Sequence, residues 1–341
     1  VFDVVGHLSL GLDLLQTAEE RLELARLCLL AGRRAKATTA FSAACEFLQT
    51  GADLMGDDGW EIDYELCRSL CFELAESLWV REQLERAEAL FAELLEHAQT
   101  DLERAELHRV RNGLAMYDTK YPEAMQHCLD GLALLGLELP AAEDAEALQA
   151  MAAAEGEALA PLLEGKDIHS LVDLPEMTDP RCLVEADLLE ELSLIGMFFS
   201  PLMTQIATLR QVRLSLEYGN SHSSPSAYAA HGMTIGAALG QYEAGAAFGA
   251  MAVDLAQRQQ NGRAETIARF WYGAFSCNWR AHARESVKIL KASVEVGQRV
   301  GSPLWASYSA FFVPLHGAFC GAPLPEAVAE FERYLPMLVL E

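Results

Sequence analysis

The chain has 341 residues and a formal net charge of −25. Residues 1–200 hold 40 acidic and 14 basic side chains, whereas residues 201–341 hold 10 and 11. Because nucleic acid is bound mainly by cation-rich surfaces, this composition excludes DNA or RNA as an expected partner. The acidic part favours either a basic protein partner or a solvated face that only keeps the protein soluble.

The lengths of the apolar runs and the placement of cysteines bear on location. No run approaches the roughly 20 apolar residues that cross a bilayer, so we expect no membrane span. The 8 cysteines stand inside apolar helical runs and lack the paired loop spacings of a disulfide framework, which predicts buried thiols and a cytoplasmic location. The chain opens at Val1 without a signal peptide, and we expect it to be a segment of a longer protein.

Apolar residues recur at intervals of three and four along nearly the whole chain, and strand signals are almost absent. Breaks in this pattern predict an all-α protein of about fourteen helices. The first clear break is the glycine and aspartate cluster at 56–59. Prolines at the first turn, or before a break, mark further helix boundaries. These prolines are Pro180, Pro201, Pro225 and Pro303, and Pro314 is expected to kink or divide its helix.

A spacing of small residues repeats along the chain. Two small residues lie twelve apart, a bulkier residue follows four later, and often a small one follows after three more. Paired antiparallel helices need small residues where their backbones approach, and this register is typical of tetratricopeptide (TPR) repeats. Because such pairs bury their apolar faces only by stacking, the pattern predicts an α-solenoid with a right-handed superhelix. The sets are Ala25/Ala37/Phe41/Ala44, Ala75/Ala87/Phe91/Leu94, Gly232/Ala244/Phe248/Met251, Ala274/Ser286/Leu290/Ser293 and, more weakly, Asn112/Ala124/Cys128/Gly131.

The region from 140 to 180 differs from its surroundings. It combines an Ala- and Glu-rich stretch with the irregular segment 173–180. We therefore expect TPR-like repeats in 1–140, a divergent helix and linker in 141–180, and further TPR-like repeats in 181–341. A joint between two subdomains and a long loop inside one continuous solenoid remain equal alternatives.

Motifs that carry chemistry are missing from the sequence. It has no phosphate-binding loop, no protein-kinase signature, no nucleophile elbow and no His-Glu-x-x-His zinc helix. Cys67 and Cys71 lie one helical turn apart, but a structural zinc site needs four ligands and no second pair is visible. We therefore predict no catalytic residue, no bound metal and no cofactor.

The densest aromatic cluster lies in 271–282, and on a helix its members share one broad side. In a solenoid of helix pairs, the first helix of each pair lines a concave groove that binds a peptide, a helix or a small effector. The alternative is that these aromatic residues form the core between repeats. The candidate groove residues are Phe72, Glu76, Trp79, Arg109, Met116, Trp271, Phe275, Asn278 and His282.

Six stretches, in order along the chain, carry a family resemblance. They resemble the helical-repeat region of large hybrid signalling proteins that join a Ser/Thr protein kinase, an AAA-type or STAND ATPase, this region, a GAF sensor and a histidine kinase. The stretches are His7-Leu8-Ser9-Leu10-Gly11, Glu20-Arg21-Leu22-Glu23-Leu24-Ala25, Gln49-Thr50-Gly51, Leu174-Pro175-Glu176-Met177-Thr178-Asp179-Pro180, Val212-Arg213-Leu214-Ser215-Leu216-Glu217-Tyr218-Gly219-Asn220-Ser221 and Trp279-Arg280-Ala281-His282.

The resemblance implies a role without a catalytic residue in this segment. The expected function is a non-catalytic scaffold for protein–protein interaction and signal relay in a bacterial hybrid kinase, coupling an ATPase before it to a sensor histidine kinase after it. ATP binding and kinase activity are then expected of the parent protein. The alternative is a superhelical sensor of a STAND-type regulator that binds a small-molecule effector. A convergent polar pocket in 220–282 would favour the sensor, and an open smooth groove would favour the scaffold.

Overall fold

The computed structural model describes residues 2–9, 11, 14, 15, 17–56 and 58–338, and their regular structure is helical. Apart from a β-bridge between Glu176 and Asn220, the described residues contain no strand pairing. The chain divides into two compact units, 1–120 and 121–341. The all-helical class predicted from the sequence is confirmed.

The first unit contains seven helices among its described residues. They are α1 (Phe2–Ser9), α2 (Ala18–Ala37), α3 (Phe41–Met55), α4 (Gly59–Ile62), α5 (Tyr64–Val80), α6 (Leu84–His97) and α7 (Asp101–Tyr117).

The second unit contains the remaining helices. They are α8 (Tyr121–Leu134), α9 (Ala145–Leu163), α10 (Pro180–Phe199), α11 (Pro201–Tyr218), α12 (Ser224–Leu239), α13 (Tyr242–Arg258), α14 (Gly262–Trp271), α15 (Ala283–Val300), α16 (Pro303–Phe319) and α17 (Leu324–Leu338). A 3₁₀ turn spans Ile168–Asp173, a π-helical turn spans Tyr272–Ser276, and a second 3₁₀ turn spans Cys277–Trp279. The total exceeds the expected fourteen partly because short helices such as α4 lie in connections.

Side-chain caps begin several of the helices. Thr17 and Thr100 each start a capping box, in which the threonine oxygen accepts a backbone N–H and a glutamate three residues later accepts the threonine N–H. Asp179 caps α10, because its carboxylate accepts the backbone N–H groups of Arg181 and Cys182. Pro314, in contrast, does not divide its helix. It lies within the continuous α16, whose buried face packs against α15 and α17 and offsets one lost backbone hydrogen bond.

The core of the first unit lies between α2, α3, α5, α6 and α7. Its largest fully buried side chains include Leu48, Leu70, Leu74 and Phe91. Neighbouring helices in this unit pack closely, α2 against α3 and α5 against α6. All four members of the repeat set Ala75/Ala87/Phe91/Leu94 are buried, whereas Ala37 of the first set is exposed at the end of α2.

The core of the second unit includes a close crossing of α12 and α13. These helices are joined by Gly240, which has a left-handed backbone, and Gln241. A Cβ on Gly232 would lie 2.6 Å from the carbonyl oxygen of Gly245, so only glycine allows this approach. The ring of Trp279 fills the space beside Gly245 and Gly236. Gly232, Gly236 and Gly245 therefore serve close helix packing.

The predicted division at residues 140 and 180 stays a prediction. Within the second unit, 141–180 holds α9, the first 3₁₀ turn and the segment that leads into α10. No helix in the described part of the chain is long and apolar enough to span a bilayer.

Replacing Gly232 with alanine tests the close crossing. We expect Gly232→Ala to lower the free energy of unfolding by about 1–3 kcal/mol, because the added methyl group meets the backbone of α13. Gly113→Ala is the matched control, because a Cβ there meets no atom within 4 Å. The control should gain about 0.5–1 kcal/mol from helix propensity. Urea unfolding followed by circular dichroism measures both changes, and equal gains in the two variants would contradict the crossing.

Candidate functional site

The second unit contains a cavity of about 620 Å³, which we call the α9–α13 cavity. This volume falls in the range of roughly 300–1,000 Å³ that is typical of pockets for small organic molecules. Residues of α9, the 3₁₀ turn at 168–173, α11, α12 and α13 line it, and most of the lining is apolar. The apolar side chains include Leu159, Leu163, Ile168, Leu171, Leu202, Leu209, Ile235 and Phe248.

Small residues on one face of α9 create the space. Ala152, Ala153, Gly156 and Ala160 recur at three and four residues, so they lie on one side of the helix and all line the cavity. A Cβ on Gly156 would meet no atom within 4 Å. Because these side chains are short, α9 leaves open volume towards α12.

Ion pairs with α11 anchor α9. Glu155 is 8% exposed and pairs with Arg213 through two hydrogen bonds of 2.9 and 3.1 Å. Arg210 lies 3.6 Å from the same carboxylate and also pairs with Glu185 at 2.7 Å. A pair in which an arginine makes two hydrogen bonds to one carboxylate fixes the orientation of both side chains as well as neutralising their charges. These contacts therefore hold one wall of the cavity in place.

Asn220 secures the 3₁₀ turn and the segment after it. Its side-chain amide donates to the carbonyl of Leu171 at 2.8 Å, and the hydroxyl of Tyr228 donates to its side-chain oxygen at 3.1 Å. Its backbone N–H donates to the carbonyl of Pro175 at 2.7 Å, and its carbonyl accepts the N–H of Met177 at 3.0 Å. One buried asparagine thus holds the turn that supplies Ile168 and Leu171 to the cavity.

His231 is the most distinctive polar residue in the lining. It is 4% exposed, and its Nδ1 atom has no hydrogen-bond partner among the described residues. Burial lowers the pKa of His231 to about 4, so the imidazole is neutral near pH 7. The rings of His231 and Phe248 pack edge to face, with their centroids 5.1 Å apart. A buried nitrogen without a partner costs free energy, and because Nδ1 has no accessible surface, a ligand in the cavity would reach the ring through Nε2.

The other polar residues of the lining are of a different kind. Thr234 already donates its hydroxyl to the carbonyl of Ala230 at 3.0 Å. Lys166, Gln149 and Gln241 are exposed, and Lys166 is the charged residue of the lining. Gln205 and Thr234 are half-buried, so His231 is the fully buried polar residue of the described lining.

Five of the candidate groove residues lie in the first unit. Phe72, Glu76 and Trp79 are on α5, and Arg109 and Met116 are on α7. Trp79 is only 8% exposed and packs against the edge of Phe91, while Glu76 forms an ion pair with Lys36 of α2. Phe72, Arg109 and Met116 are half-buried. Their role in a groove stays a prediction.

The other four candidates lie in the second unit and divide into two environments. Trp271 is 8% exposed and, with the half-buried Phe275, belongs to an aromatic cluster. Asn278 and His282 are exposed, and His282 accepts the N–H of Arg284 at the start of α15. The remaining aromatic residues of the cluster are Phe270, Trp305, Tyr308 and Phe312.

A buried Ser–His contact beside this cluster has a structural explanation. His316 Nδ1 lies 2.5 Å from Ser286 Oγ, and Ser286 also bonds to the carbonyl of Gly273 in the π-helical turn. The arrangement is satisfied if His316 donates to Ser286 and Ser286 donates to Gly273. The serine hydroxyl thus satisfies a backbone carbonyl that the irregular turn leaves available. Both side chains are buried, so the pair is explained without a nucleophile.

The cysteines are free, and Cys320 is the one that is not fully buried. Cys67 and Cys71 form a hydrogen-bonded pair of thiols. This bond lowers the pKa of Cys67 and raises that of Cys71, and burial raises the latter further.

Comparison with known proteins gives one distant similarity. The chain is similar to hybrid signal transduction histidine kinase G of Dictyostelium discoideum. The two are 20% identical over an alignment that covers 98% of this chain and 10% of that protein. No family model matches the chain. The similarity fits a signalling role and agrees in part with the resemblance in the sequence.

Sequence reasoning named Ala244 and Phe248 as repeat positions but did not predict the cavity that they help to line. His231 stands among alanine and glycine residues in α12, and a lone histidine in such a helix is the local signal that could have indicated a buried polar group. Gly156 and its alanine neighbours have the three- and four-residue spacing of a small-residue face. Asn220 appeared in a matching stretch, but its four contacts depend on segments far apart in sequence.

The buried imidazole predicts a pH dependence of stability. The pKa of His231 is about 4 in the folded state against 6.5 for the free side chain, so the unfolded state binds the additional proton between these values. Stability is therefore lost as the pH falls from 6.5 towards 4, by roughly 2–3 kcal/mol in total. The measurement is the free energy of unfolding in urea at about pH 7 and at about pH 4.5. We expect the difference between these two values to be smaller in His231→Phe than in the wild type, because the variant lacks the buried imidazole. His169→Phe replaces an exposed histidine and should retain the wild-type dependence; the same slope in both variants would contradict the assignment.

The aromatic cluster predicts a contrast between two candidate groove residues. Trp271→Ala should lower the free energy of unfolding by about 3–5 kcal/mol, because it leaves a cavity among Phe270, Phe275 and Trp305. Asn278→Ala should change it by less than about 0.5 kcal/mol, because the residue is exposed and its side-chain contact with His316 Nδ1 is long, at 3.4 Å. Thermal or urea unfolding checks the pair. A small effect of Trp271→Ala would contradict a core role for this tryptophan and would favour the groove interpretation.

Proposed function

We propose that this chain is a non-catalytic helical module that relays a signal between the domains of a hybrid signalling kinase by binding other protein domains. The observation that supports this most is the extent of the similarity to the Dictyostelium kinase. It covers 98% of this chain and a tenth of that protein, as one region of a multidomain chain would. Histidine kinase activity is part of that protein's name, and it is proposed here for the parent protein only.

A TPR-like α-solenoid is the proposed arrangement behind this function. Consecutive helices pack in pairs, including α2 with α3, α5 with α6, α12 with α13 and α15 with α16. Buried small residues lie at several pair contacts, as in Ala75 and Ala87 or Gly232 and Gly245. Stacked pairs expose a long continuous surface, which suits protein binding better than chemistry. We place the module in the cytoplasm, in keeping with its unbonded cysteines.

The acidic part of the chain suggests the character of its partner. Residues 1–200 hold 40 acidic and 14 basic side chains. An acidic surface attracts a basic protein surface, and this attraction weakens as the salt concentration increases. We therefore propose a basic face on a neighbouring module, either the ATPase or the histidine kinase of the parent protein.

A second candidate function is effector sensing, and the α9–α13 cavity is the observation that favours it. A small molecule bound there would contact α9, α11, α12 and α13 together. The two functions are compatible, because a relay module can also receive a chemical signal.

The relay is tested in the full-length gene product. One variant replaces residues 1–341 with a flexible Gly/Ser linker, and a second inactivates the ATPase module. Histidine autophosphorylation is then measured with and without a functional ATPase in both backgrounds. We expect the segment to be required for the kinase output to follow the ATPase state, because relay depends on its contacts with both modules.

Two measurements serve as controls for this experiment. Basal autophosphorylation and ATP hydrolysis should each persist in the linker variant, so that any loss is a loss of coupling. The proposal fails if the kinase output follows the ATPase equally well with the linker. It also fails if the gene product contains no kinase module.

A further inference from the structure

We propose that the α9–α13 cavity binds a small apolar molecule with one hydroxyl group, and that this hydroxyl pairs with the imidazole of His231. The inference goes beyond the relay function and does not depend on it. It rests on the volume of the cavity, its apolar walls and the one fully buried polar side chain in its described lining.

The walls determine the body of the ligand. Leucine, isoleucine, alanine and phenylalanine side chains make up most of the lining, so an apolar body is favoured by burial. The volume of about 620 Å³ suits a molecule of one to a few rings or an alkyl chain of similar size. The cavity is too small for a folded protein segment of more than a few residues.

His231 determines the polar end of the ligand. Its ring lines the cavity and is 4% exposed. Nδ1 has neither a partner among the described residues nor accessible surface, so the ring nitrogen that a ligand can reach is Nε2. A neutral imidazole carries one N–H and one bare nitrogen. A hydroxyl group can donate or accept, so it can pair with Nε2 in either tautomer.

The charges around the cavity exclude an ionised group at the buried end. Lys166 is the charged side chain of the lining, and it is exposed. The ion pair of Glu155 with Arg213 lies on α9 and α11, and neither residue lines the cavity. An anion beside a neutral imidazole would therefore be buried without a counter-charge, which costs far more free energy than a buried hydroxyl.

The cavity is formed before any ligand binds. The Glu155–Arg213 pair holds α9 against α11, Asn220 holds the 3₁₀ turn, and the glycine contact holds α12 against α13. A site held in this way loses little conformational entropy on binding. This rigidity favours measurable affinity even for a small probe.

The test uses two probes of the same shape, 4-phenylphenol and 4-methylbiphenyl, which differ only by hydroxyl against methyl. Isothermal titration calorimetry with the whole chain gives a dissociation constant for each. The ratio of the two constants is compared between the wild type and His231→Phe, which keeps an apolar ring at that position. We expect the ratio to move about three- to ten-fold towards the methyl compound in the variant, the value of one hydrogen bond.

A second pair of variants shows where the probes bind. Gly156→Phe places a ring in the cavity at a position where a Cβ meets no atom within 4 Å, and it should abolish binding of both probes. Gly113→Phe adds the same ring at an equally open helix position in the first unit and should leave both constants unchanged. Circular dichroism confirms folding, and Ala153→Phe is the alternative block from the rim of the cavity.

Each unexpected result overturns the proposal. Binding of neither probe at its solubility limit shows that the cavity is not a ligand site. Binding that survives both blocking variants places the probes elsewhere. An unchanged ratio in His231→Phe removes the hydroxyl assignment. None of these results bears on the relay, because the linker experiment is measured without a ligand.

Discussion

The contact between the backbones of α12 and α13 is the constraint on which the second unit depends. Gly232 and Gly245 allow the two helices to approach until a methyl group would no longer fit, and Trp279 fills the remaining space. This approach determines how α12 and α13 present their next residues. His231 and Phe248 meet edge to face as a result, and both line the cavity. The features proposed to bind a ligand thus follow from two positions that lack a side chain.

Polar contacts hold the remaining walls of the cavity in place. Glu155 and Arg213 attach α9 to α11, and Asn220 attaches the 3₁₀ turn through both its backbone and its side chain. These groups are buried or nearly so, and each has its partners. His231 differs because Nδ1 has none. His231 is also the fully buried polar residue of the described cavity lining, so its ring determines where a polar group of a ligand would bind.

The proposed relay and the proposed ligand site would give this protein two kinds of recognition. Protein partners would use the long outer surfaces of helix pairs, where charge and exposed side chains determine affinity. A small molecule would use the interior between α9 and α12, where apolar area and one hydrogen bond determine it. The distant kinase similarity supports the first use, and the geometry of the second unit supports the second.

The sequence by itself determined the all-helical class and the helix starts at Pro180, Pro201 and Pro303, because periodicity and the restricted backbone of proline act over a few residues. The candidate groove was read from the same local signals, and they could not separate an aromatic core residue such as Trp271 from a surface one such as His282. Only the tertiary structure decided the cavity, the four contacts of Asn220 and the unpaired nitrogen of His231. These features arise where helices distant in sequence meet, and a local pattern contains no information about which polar atoms such a meeting leaves without a partner.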